Sequence, residues 1–125
     1  MIYDIAPQTK PRMTQRDGKI SNRIGVRPCV QRYWDFKERV RTLNIQVPVA
    51  GAHVVFWVEM PKSWSKKKKA EMCGKPHQQT PDWDNFAKGL FDAIYEDDSV
   101  VYDCRVSKYW AYTGKIEVRH ETETD

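Results

Sequence analysis

The segment from residue 50 to residue 60 carries apolar side chains on both of its faces. One face would hold Ala52, Val54, Phe56, Val58 and Met60, and the other His53, Val55, Trp57 and Glu59. Alternate residues of a β-strand point to opposite sides, and a strand covered on both sides has few polar positions. The pattern therefore predicts a central strand of a sheet, which Pro61 ends.

Two further segments have the apolar spacing of helices. Residues 30–44 form the first, with the apolar stripe Tyr33, Trp34, Val40 and Leu43. Its basic residues are interpreted mainly as a solvated face. Residues 83–95 form the second, with one apolar face made of Trp83, Phe86, Ala87, Leu90 and Ile94. The opposite face of this second helix carries Asn85, Lys88 and Asp92, and Asp92 is expected to pair with Lys88 or to face solvent.

The remaining strands are predicted near the two ends of the chain. Residues 1–6 form a short strand or an arm, residues 99–110 a strand, and residues 115–119 a closing strand that makes a hairpin with it. The order β-α-β-α-β-β predicts a small α/β (α+β) fold, with a mixed sheet of about four strands and two main helices. A length of 125 residues predicts a single domain, 1–125.

The composition limits the surroundings and the ligands of the chain. No apolar run approaches the roughly 20 residues of a membrane helix, and the first residues lack the layout of a secretory signal. Three widely spaced cysteines make a disulfide framework improbable. We therefore expect a cytoplasmic protein that does not enter a membrane. A net charge of +4 indicates a surface that attracts anions.

Much of the positive charge falls in two segments that read as long, mobile loops, residues 7–29 and 62–80. The second contains four consecutive lysines, Lys66 to Lys69, which must face water or phosphate, and part of 66–72 fits a helical turn. Trp64 beside them is expected either to stack on a nucleic-acid base or to cover an edge of the core. His77 is interpreted as a loop residue.

Acidic residues concentrate between residues 81 and 98, around the second helix. Asp82 and Asp84 lie two apart where the chain enters the helix, and Asp97 and Asp98 follow it. If one of the later pair reaches the first pair, three carboxylates would form an oxygen site suited to Mg²⁺ or Mn²⁺. An acidic site within a basic chain favours a metal-dependent nuclease.

Each acidic feature also has a structural explanation. An aspartate before a helix often caps it, and Lys88 four residues after Asp84 can form an ion pair worth about 0.3–0.5 kcal/mol. Alternatively, Lys88 contacts a phosphate and balances the charge that develops during cleavage. Spacing alone favours the metal site over these structural roles but leaves both open.

The same region resembles the RusA family of Holliday junction resolvases, small endonucleases of phages and prophages. The resemblance covers residues 80–108 closely and rests on Pro81-Asp82-Trp83-Asp84-Asn85, Lys88, Asp92-Ala93-Ile94, Glu96-Asp97-Asp98 and Val100-Val101. It implies a homodimeric, Mg²⁺-dependent enzyme of recombination and repair that resolves four-way DNA junctions by paired nicks with 5′-phosphate ends.

The resemblance also implies roles for single residues. By position, the metal-binding aspartates of the family fall on Asp82, Asp84 and Asp98, and its catalytic lysine falls on Lys88. Asp97 and Asn85 are expected to support the site. We expect the DNA arms to be bound by the basic segments, through Arg12, Arg16, Lys19, Arg23, Lys66, Lys67, Lys68 and Lys69.

Two other functions remain open from the residues. A DNA-binding module without catalysis would use the acids only for capping and pairing. A metal-dependent hydrolase of small phosphorylated compounds would turn over nucleotides without DNA, but it leaves the basic segments unexplained.

Overall fold

The structure, a computed structural model, describes residues 1–11, 27–95 and 98–120, without the side chain of Asp98. Its elements follow the predicted α+β pattern. In chain order they are strand β1 (Ile2–Tyr3), helix α1 (Pro28–Thr42), strand β2 (Ala50–Glu59), helix α2 (Lys66–Met72), helix α3 (Trp83–Ile94), a 3₁₀ helix (Asp98–Val100), strand β3 (Asp103–Ala111) and strand β4 (Lys115–His120).

The four strands form one mixed sheet in the order β1-β4-β2-β3. β2 is internal, as its two apolar faces predict, and it pairs with β3 in parallel and with β4 antiparallel. The predicted hairpin between β3 and β4 is therefore wrong. The short link between them carries the chain past the end of β2 instead. The predicted strand also began too early, because Ser99 and Val100 belong to the 3₁₀ helix.

The core lies between one face of the sheet and the helices α1 and α3. β2 contributes Ala52, Val54 and Phe56, which are almost fully buried. Phe86 of α3 stacks on Phe56 with the ring centroids 5.4 Å apart. α1 begins at Pro28, whose missing N–H costs nothing in the first helical turn, and its buried stripe includes Tyr33, Phe36 and Val40.

The apolar face predicted for α3 is confirmed for three of its five residues. Phe86, Ala87 and Leu90 are buried, and Ile94 is half-buried. Trp83 differs, since 55% of its surface is exposed. It stands at the first position of the helix, beyond the part that α1 and the sheet cover.

Residues 7–11 are held across α3 rather than standing away from the molecule. A Cβ atom at Gly89 would overlap the carbonyl oxygen of Gln8, so the close crossing requires glycine at this position. Lys10 forms an ion pair with Asp92 at 2.9 Å. The expectation that Asp92 pairs with Lys88 or faces solvent is therefore wrong, because the amino-terminal segment supplies its partner.

Tyr33 joins α1 to the same point of α3. Its buried hydroxyl donates a hydrogen bond of 2.9 Å to the carbonyl oxygen of Gly89. Burial, and then the negative charge of Asp92, raises the pKa of Tyr33 well above its usual value. The hydroxyl therefore remains a donor at any physiological pH.

No helix in the described part of the chain is long and apolar enough to cross a membrane.

Candidate metal and nucleic-acid site

The start of α3 presents two carboxylates to solvent. Asp82 is the N-cap residue, with extended backbone angles (φ −68°, ψ 156°), and Asp84 lies in the first helical turn. Both side chains are exposed. Among the described residues, the Asp82 carboxylate makes no capping hydrogen bond, although its backbone oxygen accepts one from the Asn85 N–H at 3.1 Å. Capping therefore does not account for an aspartate here, and its side-chain oxygens remain available to a ligand.

Lys88 lies one turn further along α3, and its side chain is exposed. Within the described part of the chain it forms no ion pair with Asp84 or with Asp92, which is bound to Lys10. The structural explanation of Lys88, an i, i+4 pair, is thus not seen. The start of α3 therefore carries two carboxylates and an ammonium group, all exposed, within about two helical turns.

Asp98 is the first residue of the 3₁₀ helix, which begins four residues after the last residue of α3. Its side chain lies outside the described part, as do Asp97 and the predicted DNA-binding residues Arg12, Arg16, Lys19 and Arg23. Among the side chains that the structure describes, no three His, Cys, Asp or Glu residues are grouped to hold a metal ion. Asp82 and Asp84 supply two oxygen donors of the kind Mg²⁺ takes, and they fit part of such a site.

The structure adds Lys108 of β3, which the sequence reasoning did not single out. Its ammonium donates hydrogen bonds to the carbonyl oxygens of Gln79 at 2.6 Å and Pro81 at 2.7 Å. The backbone oxygen of Lys108 accepts a third bond from the N–H of His77 at 3.0 Å. Three hydrogen bonds therefore fasten the segment that leads into Asp82 to a single residue of the sheet.

Electrostatics at Lys108 point in two directions. Burial lowers the pKa of its ammonium, and the negative charge of Asp82 opposes that shift. A sequence signal was present: Lys108 occupies the same alternating set as Val106 and Trp110, and it pairs in register with the core residue Phe56. A lysine in a core-facing set indicates a side chain that has a specific polar partner.

The lysine-rich helix α2 is attached to the same strand by aromatic rings. Trp64 packs on Trp110 of β3 at 4.9 Å between centroids, and the Lys68 ammonium lies 4.2 Å from the Trp64 centroid. Trp64 therefore covers an edge of the core, one of its two predicted roles. The Ser65 side chain caps α2 by accepting from the Lys68 N–H. The predicted loop 62–80 thus contains an ordered helix.

Four lysines of α2 differ in how far they reach solvent. Lys66 and Lys67 are exposed, Lys68 is exposed above the Trp64 ring, and Lys69 is half-buried. Trp110 and Lys108 lie two apart on β3, and so the sheet holds the lysine helix and the acidic start of α3 at neighbouring places. The arrangement can bind a polyanion beside a carboxylate pair.

The comparisons with known proteins agree with this chemistry. The family model described as Endodeoxyribonuclease RusA matches residues 3–121. The chain is also similar to the uncharacterized protein YqaN of Bacillus subtilis (strain 168), with 36% identity over 126 aligned positions, covering 89% of this chain and 85% of that protein. No solved structure matches. Because the family model spans nearly the whole chain, the chain belongs to the RusA family of endodeoxyribonucleases.

Proposed function

We propose that this protein is a Mg²⁺-dependent endodeoxyribonuclease that resolves four-way DNA junctions by paired nicks with 5′-phosphate ends. One observation carries the proposal: in a member of this family, Asp82 and Asp84 stand exposed at the start of α3, and the N-cap carboxylate is not used to cap the helix. Unpaired carboxylates so close to each other repel, and a cation between them would remove that repulsion.

Each site residue has a distinct task in this proposal. Asp82, Asp84 and Asp98 hold Mg²⁺, or Mn²⁺ in its place, while Asn85 and Asp97 support them. When bound, the ion supplies Lewis acidity toward the scissile phosphate and makes water a better nucleophile. The exposed Lys88 places a positive charge where negative charge accumulates on the phosphate during the reaction.

Two copies of the chain would serve the two strands that must be cut. A junction with twofold symmetry is matched by a homodimer, which presents two equivalent sites. The exposed lysines of α2 would then hold the DNA arms beside the acidic pair. We expect the enzyme to act in recombination and repair of DNA.

The Asp84→Asn variant tests the assignment of the carboxylates. Cleavage of an end-labelled four-way junction in Mg²⁺ should fall by a factor of about 100 or more, a loss as large as that for removing one group that stabilises transition-state charge. Junction binding should be kept or tightened, because one negative charge near the DNA is lost. Asp92→Asn, with the same charge change on the same helix, is the matched control.

The same assay separates the competing functions. The wild-type protein, with and without Mg²⁺, is also given a linear duplex and a mixture of nucleotides. Symmetric nicks in the junction, dependent on Mg²⁺, are expected. Full activity in Asp84→Asn would contradict the site, binding without nicking would indicate a non-catalytic module, and turnover of nucleotides without DNA would indicate a small-molecule hydrolase.

Lys88→Ala tests the role of the Lys88 ammonium in cleavage. Since the ammonium is expected to act on charge that develops in the transition state, the single-turnover rate should fall by a factor of about 10 to 1000, while the Kd for the junction changes little. The rate is measured on junction already saturated with protein. An unchanged rate would leave Lys88 as a surface charge without a role in cleavage.

A further inference from the structure

Residues 79–81 lead into Asp82, and the described hydrogen bonds that join them to β3 all come from Lys108. The Lys108 ammonium is bonded to the carbonyl oxygens of Gln79 and Pro81, and its backbone oxygen to the N–H of His77. Two carbonyl dipoles that converge on one spot repel each other unless a cation lies between them. The side chain of Lys108 supplies that cation.

The Lys108 ammonium leaves the Asp82 carboxylate available to another ligand. Within the described residues, no ion pair joins Lys108 to Asp82, and the Asp82 side chain is exposed. Lys108 itself is half-buried, with two of its three N–H donors engaged by carbonyl oxygens. It is therefore poorly placed to bind a phosphate in the way proposed for the exposed Lys88.

The position of Lys108 on the sheet restricts the movement of the backbone around Asp82. In register with it on β2 is Phe56, whose ring packs on Phe86 in the first turns of α3. The sheet thus contacts the chain on both sides of Asp82, by the Lys108 ammonium before it and by the Phe56–Phe86 ring pair after it. Asp82 lies between these two contacts along the chain.

We propose that Lys108 is a positioning residue, whose ammonium fixes the backbone of residues 79–81 and thereby the point from which the Asp82 carboxylate extends toward a divalent cation. This inference rests on the proposed function, because it takes Asp82 as a metal ligand. Its effect on the reaction is exerted through Asp82 and not by contact with DNA.

The experiment compares Lys108→Met with Lys115→Met. Both variants lose one positive charge, but Lys115 is exposed at the start of β4, away from residues 79–81. Amide hydrogen exchange is measured first, without metal or DNA. Lys108→Met should exchange faster over residues 78–86, whereas the His77 amide, which is bonded to a backbone oxygen, should change less. Lys115→Met should match the wild type.

Binding of Mn²⁺, followed by the electron spin resonance signal of the free ion, is the second measurement. Lys108→Met should weaken Mn²⁺ binding roughly tenfold or more, the loss expected for one charge-assisted hydrogen bond. Lys115→Met should leave it unchanged. Lys108→Arg keeps a charged donor and should restore part of the affinity. It also provides a second variant if thermal unfolding shows that Lys108→Met is poorly folded.

The outcomes separate this inference from the function it rests on. Unchanged hydrogen exchange in Lys108→Met would show that the Lys108 ammonium does not hold residues 79–81 in place. Faster exchange with unaltered Mn²⁺ binding would overturn the positioning role. If the wild-type protein itself bound no Mn²⁺, the proposed function would fail instead. The exchange result would still show whether Lys108 holds residues 79–81 in place.

Discussion

His77 shows how one residue can be misread when only its neighbours in the chain are considered. Its surroundings, rich in Gly, Pro and Gln, indicate a surface loop, yet only 4% of its surface is exposed. Its ring packs on Trp110 at 4.2 Å between centroids, and among the described residues its Nδ1 atom is buried without a hydrogen-bond partner. Burial, and then the charge of Lys108, lowers the pKa of this histidine.

That lowered pKa makes the stability of the fold depend on pH. The unfolded chain binds the His77 proton more tightly than the folded one, so His77 costs nothing above its usual pKa of about 6.5 and destabilises the fold increasingly below it. We expect the free energy of unfolding to decline as the pH falls from about 6.5 to about 5.5, by at most about 1.4 kcal/mol per pH unit from this group. Urea unfolding across this range measures it.

The variant His77→Phe keeps a ring against Trp110 and removes the proton. Its stability should vary less over the same pH range than that of the wild type. His120→Gln, at an exposed histidine of β4, is the control and should retain the wild-type slope. An equal slope in His77→Phe and in the wild type would show that His77 is not the group responsible.

At the scale of residues, the candidate site residues on α3 could be predicted from the sequence more easily than the residues that surround them. Asp82, Asp84 and Lys88 carry recognisable spacing on one helix, and the structure places all three on its exposed side. Lys108 and His77 are brought to the site by the pairing of distant strands. Residue spacing along the chain does not predict such contacts. The one signal is that Lys108 belongs to an alternating set of residues that faces the core.

At the scale of elements, α3 is held from three sides. Phe86 packs on β2, Tyr33 of α1 bonds to the Gly89 carbonyl oxygen, and residues 7–11 cross the helix at Gly89. The helix that carries the candidate site is thus fixed by the sheet, by another helix and by the amino-terminal segment. A rigid support of this kind suits a site whose ligands must be placed within a fraction of an ångström.

The crossing at Gly89 gives a prediction that runs against helix propensity. Gly→Ala inside a helix normally stabilises by about 1 kcal/mol. Here the new methyl group would overlap the Gln8 carbonyl oxygen, a backbone atom that cannot rotate away. We therefore expect Gly89→Ala to destabilise the protein by about 1–3 kcal/mol, the usual cost of overpacking. Urea unfolding gives the difference.

The ion pair at the same crossing provides the comparison. Lys10→Met removes the bond to Asp92 without a clash, and 43% of the Lys10 side chain is exposed. Its loss should cost under about 1 kcal/mol, as for other surface pairs. A Gly89→Ala protein as stable as the wild type would mean that residues 7–11 do not cross the helix closely in solution.

Elements were easier to predict than their pairing. Alternation and helical spacing located β2, α1 and α3 within a few residues, because each depends on local periodicity. The strand that pairs with β4 depends instead on residues far apart in the sequence. A short turn between two strands usually indicates a hairpin. In the structure three residues, 112–114, separate β3 from β4, and β2 lies between the two strands with one of them on each of its edges.

The whole molecule combines a small excess of positive charge with an uneven distribution of lysines. Net charge is +4, while α2 alone carries four lysines. α2 has no buried residue of its own and is attached through Trp64, next to its amino end, so it contributes little to the core. We therefore expect α2 to serve the binding of a polyanion more than the stability of the fold.

Salt dependence of junction binding tests that explanation across the molecule. Each phosphate contact contributes about 0.9 to the slope of log K against log salt concentration. If Lys66 and Lys67 each contact a phosphate, the double variant Lys66→Gln, Lys67→Gln should reduce the magnitude of the slope by about 1.8. Fluorescence anisotropy with a labelled junction, in EDTA so that nothing is cleaved, measures it.

The matched control removes the same charge from a surface interpreted as solvated. Arg39 and Arg41 lie in the last turn of α1 and are exposed. The double variant Arg39→Gln, Arg41→Gln lowers the net charge equally, so a purely long-range effect of charge would change both proteins alike. We expect its slope to stay near that of the wild type. Equal reductions in the two variants would show that the junction is attracted by total charge and that α2 makes no specific phosphate contacts.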